Sequence, residues 1–276
     1  MIDVQYFTTG DGCRIAYRFD GPQDAPILLL SNSLGTDMGM WEPQMAAFST
    51  HFRVLRYDQR GHGASDAPIG SYSMDRLGRD VIELLDWLSH ETVHFCGLSL
   101  GGMIGQWLGI RAPERLGRLI LANTSSYMGP PSAWDGRIDI VREQGMASLA
   151  QASIGRWFTQ SFAAKALDAI APIATMLQAT DPDGYAGCCA AIRDMDMRRI
   201  VRLIPTPTLV IGGRHDPATP PSHSETLASA IPSAKLAMLD AAHLSNVECA
   251  EIFVRIVSDF LDRNKTLIMH ERTRGI

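Results

Sequence analysis

The segment Val93 to Gly105 constrains this chain more than any other. An apolar run, Val93 to Cys96, leads into Gly97-Leu98-Ser99-Leu100-Gly101, and helix-like spacing follows from Gly102 to Arg111. G-x-S-x-G between a strand and a helix reads as a nucleophile elbow, in which the chain turns sharply and thrusts one side chain out at the corner. The backbone at Ser99 is expected to be strained, and a glycine two residues to either side lets the chain pass closely. The new helix would aim free N–H groups at an oxyanion formed beside Ser99. Glycine and serine are common residues, and the same five can form a turn that binds nothing. A base and an acid must follow downstream, in the right order, for the catalytic reading to hold.

The surrounding pattern fits that requirement. Residues 4–8 and 13–19 alternate as strands across a Thr9-Gly10-Asp11-Gly12 turn. The apolar run at 27–30 reads as a strand buried on both faces of a parallel sheet, and 53–58, 93–96 and 118–123 read as further strands. Helical spacing separates them at 41–48, at 73–89 (through Leu77, Val81, Leu84, Leu85 and Leu88) and at 102–111. This alternation predicts an α/β fold built on a mostly parallel, doubly wound sheet. From Thr124 to Leu203 only helical or irregular segments occur, which predicts a helical insertion over the C-terminal edge of the sheet. The alternation resumes with a strand at 208–212, a helix at 220–231, a strand at 235–239 and a last helix from Ser245 to about Asn264. Ser245-Asn246-Val247-Glu248 has the form of a capping box. The expected organisation is a core of residues 1–123 and 204–264, a cap of 124–203 and a tail of 265–276.

Composition narrows the class. The 276 residues carry a formal charge of −5, which argues against nucleic acid or an anionic membrane as partner. No apolar run approaches the roughly 18 residues of a membrane-spanning helix. The N-terminus lacks the basic and apolar regions of a secretory signal. Five cysteines, one pair of them vicinal and none in C-x-x-C, read as reduced thiols of a cytoplasmic protein. No H-E-x-x-H or similar ligand spacing points to a metal, and no G-x-G-x-x-G follows a strand, so neither metal nor dinucleotide cofactor is expected. Nothing in the sequence specifies an oligomeric state.

Serine needs a base to take its proton and a third group to orient that base. On a sheet of this kind the order is Ser, then Asp or Glu, then His, each in a loop after a strand. Asp216 follows the strand 208–212 and His243 follows the strand 235–239. Asp240 and Asp196 compete for the acid role, but Asp240 lies three residues from His243 and Asp196 lies in the insertion. His215 and His62 read as rim or structural residues. The oxyanion donors are expected to be the N–H of Leu100, next to the nucleophile, and that of Leu34, in the small-residue loop after the strand 27–30.

Eight stretches carry a resemblance. They are N-S-L-G-T-D-M-G-M-W (32–41), Y-D-Q-R-G-H-G-A-S (57–65), G-L-S-L-G-G-M (97–103), L-A-N-T (121–124), W-D-G-R-I (134–138), R-W-F-T (156–159), G-G-R-H-D-P-A-T-P (212–220) and A-A-H-L-S-N-V-E (241–248). Over roughly residues 5–262 the chain resembles the α/β-hydrolases with a helical cap, and more narrowly it is similar to the 3-oxoadipate enol-lactonases of aromatic catabolism. The elbow and triad motifs are common to the superfamily; N-S-L-G and the cap stretches are the narrower signals. The resemblance implies a small lactone substrate with a carboxylate side chain. It further implies Arg137 as the cation for that carboxylate and Trp134 and Trp157 as walls for the ring. The plainer alternatives are a solvated Arg137 and tryptophans that pack the cap on the sheet. Other functions open to the same residues are a carbon–carbon bond hydrolase of ring-cleavage products, a general esterase, a perhydrolase or a hydrolase-fold lactone receptor.

Overall fold

The computed structural model describes residues 4–232 and 234–262. Its described strands form one sheet in the order β1-β2-β4-β3-β5-β6-β7-β8. β1 (Gln5–Thr8) and β2 (Arg14–Asp20) form an antiparallel hairpin, closed by Thr9 and Cys13 backbone bonding at 2.9 Å. β2 then runs antiparallel to β4 (Arg53–Tyr57). β3 (Ile27–Ser31), β5 (Val93–Leu98), β6 (Leu116–Ala122), β7 (Thr208–Gly213) and β8 (Lys235–Leu239) complete the sheet in parallel register.

β5 sits near the middle because all six of its residues can be buried, and all six are. α1 (Glu42–Phe48), α2 (Met74–Trp87) and α3 (Leu100–Arg111) connect the first parallel strands. α2 shows why these residues form a helix. Ser73 caps it by accepting the Arg76 N–H at 3.1 Å. Leu77, Val81, Leu84 and Leu85 share its buried face, the spacing of one helical stripe. The expected alternation is therefore met, with small differences in bounds.

Between β6 and β7 the chain forms α4 (Pro131–Gln144), α5 (Ala147–Trp157), α6 (Gln160–Ala163), α7 (Leu167–Ala179) and α8 (Pro182–Asp194). The segment expected to be helical holds one isolated β-bridge among the described residues, Tyr127 with Asp196. After β7 come α9 (Pro221–Ala230), α10 (Ser245–Glu248) and α11 (Ala250–Leu261).

The capping box is a correction. Ser245 lies inside α10 after Leu244, and its hydroxyl donates to Asn123 Oδ1 at 2.5 Å instead of capping. Glu248 reaches back to the Ala242 N–H at 2.9 Å. The expected single helix is also interrupted at Cys249, which separates α10 from α11. The tail 265–276 lies outside the described residues. Among the described residues no helix is long and apolar enough to cross a membrane.

Candidate active site

The turn from β5 into α3 puts Ser99 at φ 56° and ψ −114°, a region that L-residues rarely occupy. Its neighbours hold it there. The Ser99 N–H donates to the Ala122 carbonyl at 2.9 Å, and the Thr124 hydroxyl donates to the Ser99 carbonyl at 2.8 Å. The flanking glycines are required by contact distance. A Cβ on Gly97 would lie 2.1 Å from the Gly101 carbonyl oxygen, and one on Gly101 would lie 2.1 Å from that of Ser31.

The loops after β7 and β8 bring Asp216 and His243 to this corner. His243 Nε2 lies 3.0 Å from Ser99 Oγ, and His243 Nδ1 lies 2.9 Å from Asp216 Oδ2. Asp216 is held by four further donors. Oδ1 accepts the N–H groups of Ala218 at 2.8 Å and Thr219 at 2.9 Å. Oδ2 accepts the Thr219 hydroxyl at 2.6 Å and the Asn123 amide at 3.0 Å. Burial pushes the Asp216 carboxyl up, but the charge of His243 and the hydrogen bonds of His243 and Thr219 together hold it down at about 2. An ionised carboxylate only accepts, so Nδ1 carries the imidazole proton and Nε2 is left to accept from the Ser99 hydroxyl.

The competing acids and bases lie elsewhere. Asp240 pairs with exposed His215 at 2.7 Å. Asp196 pairs with Arg198. His62 is buried and accepts the Gly35 N–H on Nε2 at 2.9 Å. Burial pushes its imidazole down to about 4, which keeps it neutral and suits it to a structural role.

That bond shapes the loop after β3. Thr36 N–H donates to the Ser33 carbonyl at 3.2 Å, and Gly35 has φ 77°, so Ser33 to Thr36 form a type II turn with Leu34 at its first corner. The following loop holds this turn in place. Gln59 Nε2 donates to the Asn32 carbonyl at 2.7 Å, and Asp58 Oδ1 accepts the Met38 N–H at 2.7 Å. Among the described residues the Leu34 and Leu100 N–H groups have no hydrogen-bond partner. Leu100 opens α3, so its N–H also lies at the positive end of that helix.

Ser99 and His243 line a cavity of about 200 Å³ together with Leu34, Trp134, Arg137 and Trp157. That is below the roughly 300–1,000 Å³ of sites for drug-sized ligands, and it suits a small molecule. Trp134 is fixed by donating its indole N–H to the Met128 carbonyl at 2.6 Å. The Arg137 guanidinium lies 5.4 Å from the Trp134 ring centroid. Trp134, Arg137 and Trp157, the substrate-binding residues singled out from the sequence, all line the cavity. Sequence reasoning missed Arg156, Ser153 and Tyr185, which line it too. The spacing of Ser153, Arg156 and Trp157 on one helical face was the available signal. Among the described residues no group of His, Cys, Asp and Glu side chains is arranged to hold a metal ion. The five cysteines are free thiols.

Comparison with known proteins agrees with this architecture. A family model described as alpha/beta hydrolase fold matches residues 26–166. A 3-oxoadipate enol-lactonase of Acinetobacter baylyi is 41% identical over 255 residues, covering 92% of this chain and 96% of the relative. The crystal structure of the enol-lactonase from Burkholderia xenovorans LB400 superposes with a TM-score of 0.91 at 44% identity, covering 93% of this chain and 99% of that one. A Stutzerimonas stutzeri protein whose name provisionally assigns it carbamate hydrolysis is 33% identical over 251 residues, covering 86% of this chain and 92% of the relative.

Proposed function

The chain belongs to the α/β-hydrolase family and is a hydrolase of ester bonds, and from that membership we propose that it opens the ring of 3-oxoadipate enol-lactone to give 3-oxoadipate in aromatic catabolism. Ser99 Oγ attacks the lactone carbonyl as His243 Nε2 takes its proton, while Asp216 stabilises the imidazolium. The Leu34 and Leu100 N–H groups hold the oxyanion. The ring oxygen leaves as an enol, a better leaving group than a saturated alkoxide. Water activated by His243 then hydrolyses the acyl-enzyme, and the enol relaxes to the ketone. Helices α4–α8 act as a cap that encloses the substrate, with Arg137 on its carboxylate and Trp134 and Trp157 against its ring.

The observation that carries this reading is the Ser99–His243–Asp216 relay opening on a small cavity that also holds arginine. The enol-lactonase relatives support the substrate. The test is a panel of 3-oxoadipate enol-lactone, p-nitrophenyl acetate, a meta-cleavage dienoate and a small carbamate. The expected result is the highest kcat/KM on the lactone. Preferred cleavage of the dienoate or the carbamate would reassign the substrate. A single slow turnover with ligand retained would favour a receptor.

A further inference from the structure

In the sheet order β6 lies between β5, which leads into Ser99, and β7, which leads toward Asp216. Three consecutive residues at the end of β6 touch all three loops of the relay. The Ala122 carbonyl accepts the Ser99 N–H, and the Thr124 hydroxyl donates to the Ser99 carbonyl. Asn123, between them, reaches the other two loops. Its Nδ2 donates to Asp216 Oδ2 at 3.0 Å and to the carbonyl of Ala242, next to His243, at 3.1 Å. Its Oδ1 accepts the Ser245 hydroxyl, and its own N–H donates to the Ile211 carbonyl of β7 at 2.8 Å. The residue is fully buried. Its backbone is left-handed at φ 42°, a conformation that asparagine tolerates better than most residues. Gly213 lets the loops approach, since a Cβ there would lie 2.3 Å from the Ala242 carbonyl oxygen.

The partners of Asn123 fix the orientation of its amide. An ionised carboxylate and a carbonyl only accept, so both need the amide nitrogen, and the amide oxygen is left for the Ser245 hydroxyl. A carboxylate or a hydroxyl at this position could not supply two donors and an acceptor together. We propose that Asn123 is a positioning residue that acts through Asp216 and the Ala242 carbonyl to hold acid and base at the separation the Ser99 proton transfer needs. This rests on the Ser99–His243–Asp216 relay proposed above and is independent of which ester the relay cleaves. Asp216 Oδ2 accepts three donors, from His243, Thr219 and Asn123. The Thr219 and Asn123 bonds fix the direction from which Oδ2 meets His243 Nδ1. The bond to Ala242 keeps the backbone beside His243 from drifting away from that oxygen. Neither task requires contact with substrate.

The test uses phenylmethylsulfonyl fluoride, which reports on Ser99 without a substrate assignment: Oγ displaces fluoride from sulfur as His243 takes the hydroxyl proton. Native protein is compared with Asn123→Gly, which keeps the left-handed backbone and removes the amide, and with Asn123→Asp, which keeps the shape and loses both donors when ionised. In Asn123→Gly the inactivation rate, and kcat on p-nitrophenyl acetate, are expected to fall about 10- to 100-fold with KM near native. In an Asp216→Asn background the same change is expected to slow inactivation little further, because the two residues act as one unit. Asn123→Asp sets two carboxylates at hydrogen-bond distance, which share a proton until the pH rises and then repel. Its inactivation rate is therefore expected to fall again at alkaline pH, where the native rate stays level. Among the described residues Asp216 faces His243 at 2.9 Å, and its charge also reaches His223 of α9. Unchanged rates in both variants, or a full further loss in the Asp216→Asn background, would overturn the proposal. Should Asn123→Gly fail to fold, Asn123→Asp decides, and a level alkaline profile there overturns the role. If native protein resists the reagent as Ser99→Ala does, the relay reading falls and this role with it. If native protein is inactivated yet leaves the enol-lactone intact, only the substrate reading falls.

Discussion

At the scale of single residues, the site depends on backbone groups as much as on side chains. Leu34 allows a clean test, because the first corner of a type II turn accepts proline. Leu34→Pro removes the proposed oxyanion donor while keeping the Ser33–Thr36 turn. It is expected to lower kcat about 10²- to 10³-fold with KM and melting temperature near native; an unchanged kcat would dismiss Leu34 as a donor. His62 gives a pH signature. Its imidazole is pushed down to about 4 by burial, whereas the unfolded chain takes up that proton near its ordinary value. The neutral His62 therefore contributes stability that is full above about pH 6.5 and is lost as the pH falls toward about 4, on the order of 3 kcal/mol. Asp58 opposes it: burial pushes its carboxyl up to about 6, so it adds stability as the pH falls through that value. His62→Gln retains an acceptor for the Gly35 N–H, and denaturant unfolding at pH 7 and pH 5 should show a smaller acid loss than in native protein. An equal loss would remove His62 from the account. The relay residues were legible because each stands in a loop after a recognisable strand, in chain order. Arg156 was not singled out, because a charged residue on a helix reads as solvated even where its spacing puts it on one face with Ser153 and Trp157.

At the scale of elements, the loop carrying His243 is tied to the helical segment between β6 and β7. Glu248 accepts the Ala242 N–H at 2.9 Å and the Thr159 N–H at 3.3 Å, and it also accepts the Thr159 hydroxyl. The Leu244 N–H donates to the Trp157 carbonyl at 3.0 Å. One carboxylate thus joins the end of α5 to the loop before α10. Glu248→Ala is expected to speed amide exchange at Ala242 and Thr159 by about tenfold, read by hydrogen–deuterium exchange; unchanged protection at both would show that the clamp carries no load. This role explains why the capping box misled. S-x-x-E is a local pattern, and it looks the same whether its side chains turn back on a helix start or reach distant partners such as Asn123 and Thr159. The elbow pattern is local too and reads as catalytic only with Asp216 and His243 downstream; its glycines are demanded by contacts with Ser31 and Gly101.

At the scale of the whole molecule, an acidic chain of formal charge −5 surrounds a cavity whose only Arg, Lys, Asp or Glu lining residues, among those described, are Arg137 and Arg156. Low-dielectric walls concentrate that positive field where the carboxylate of the proposed substrate would lie. The sheet was legible because buried parallel strands read as short apolar runs and their helices as 3.6-residue stripes. The packing of the helices between β6 and β7 was not, because α4 packs on α5 and α8 and α5 packs on α7, while Gly35 and Gly61 in the loops after β3 and β4 lie against Leu177 and Gly184, contacts that no local periodicity encodes. The central claim is that Ser99 hydrolyses an enol-lactone in this cavity. The most direct test follows the loss of 3-oxoadipate enol-lactone absorbance with native protein beside Ser99→Ala. Multiple turnovers that fall by at least about 10³-fold in the variant are expected. Native protein that leaves the lactone intact, or a variant that still turns it over at the native rate, would contradict the account.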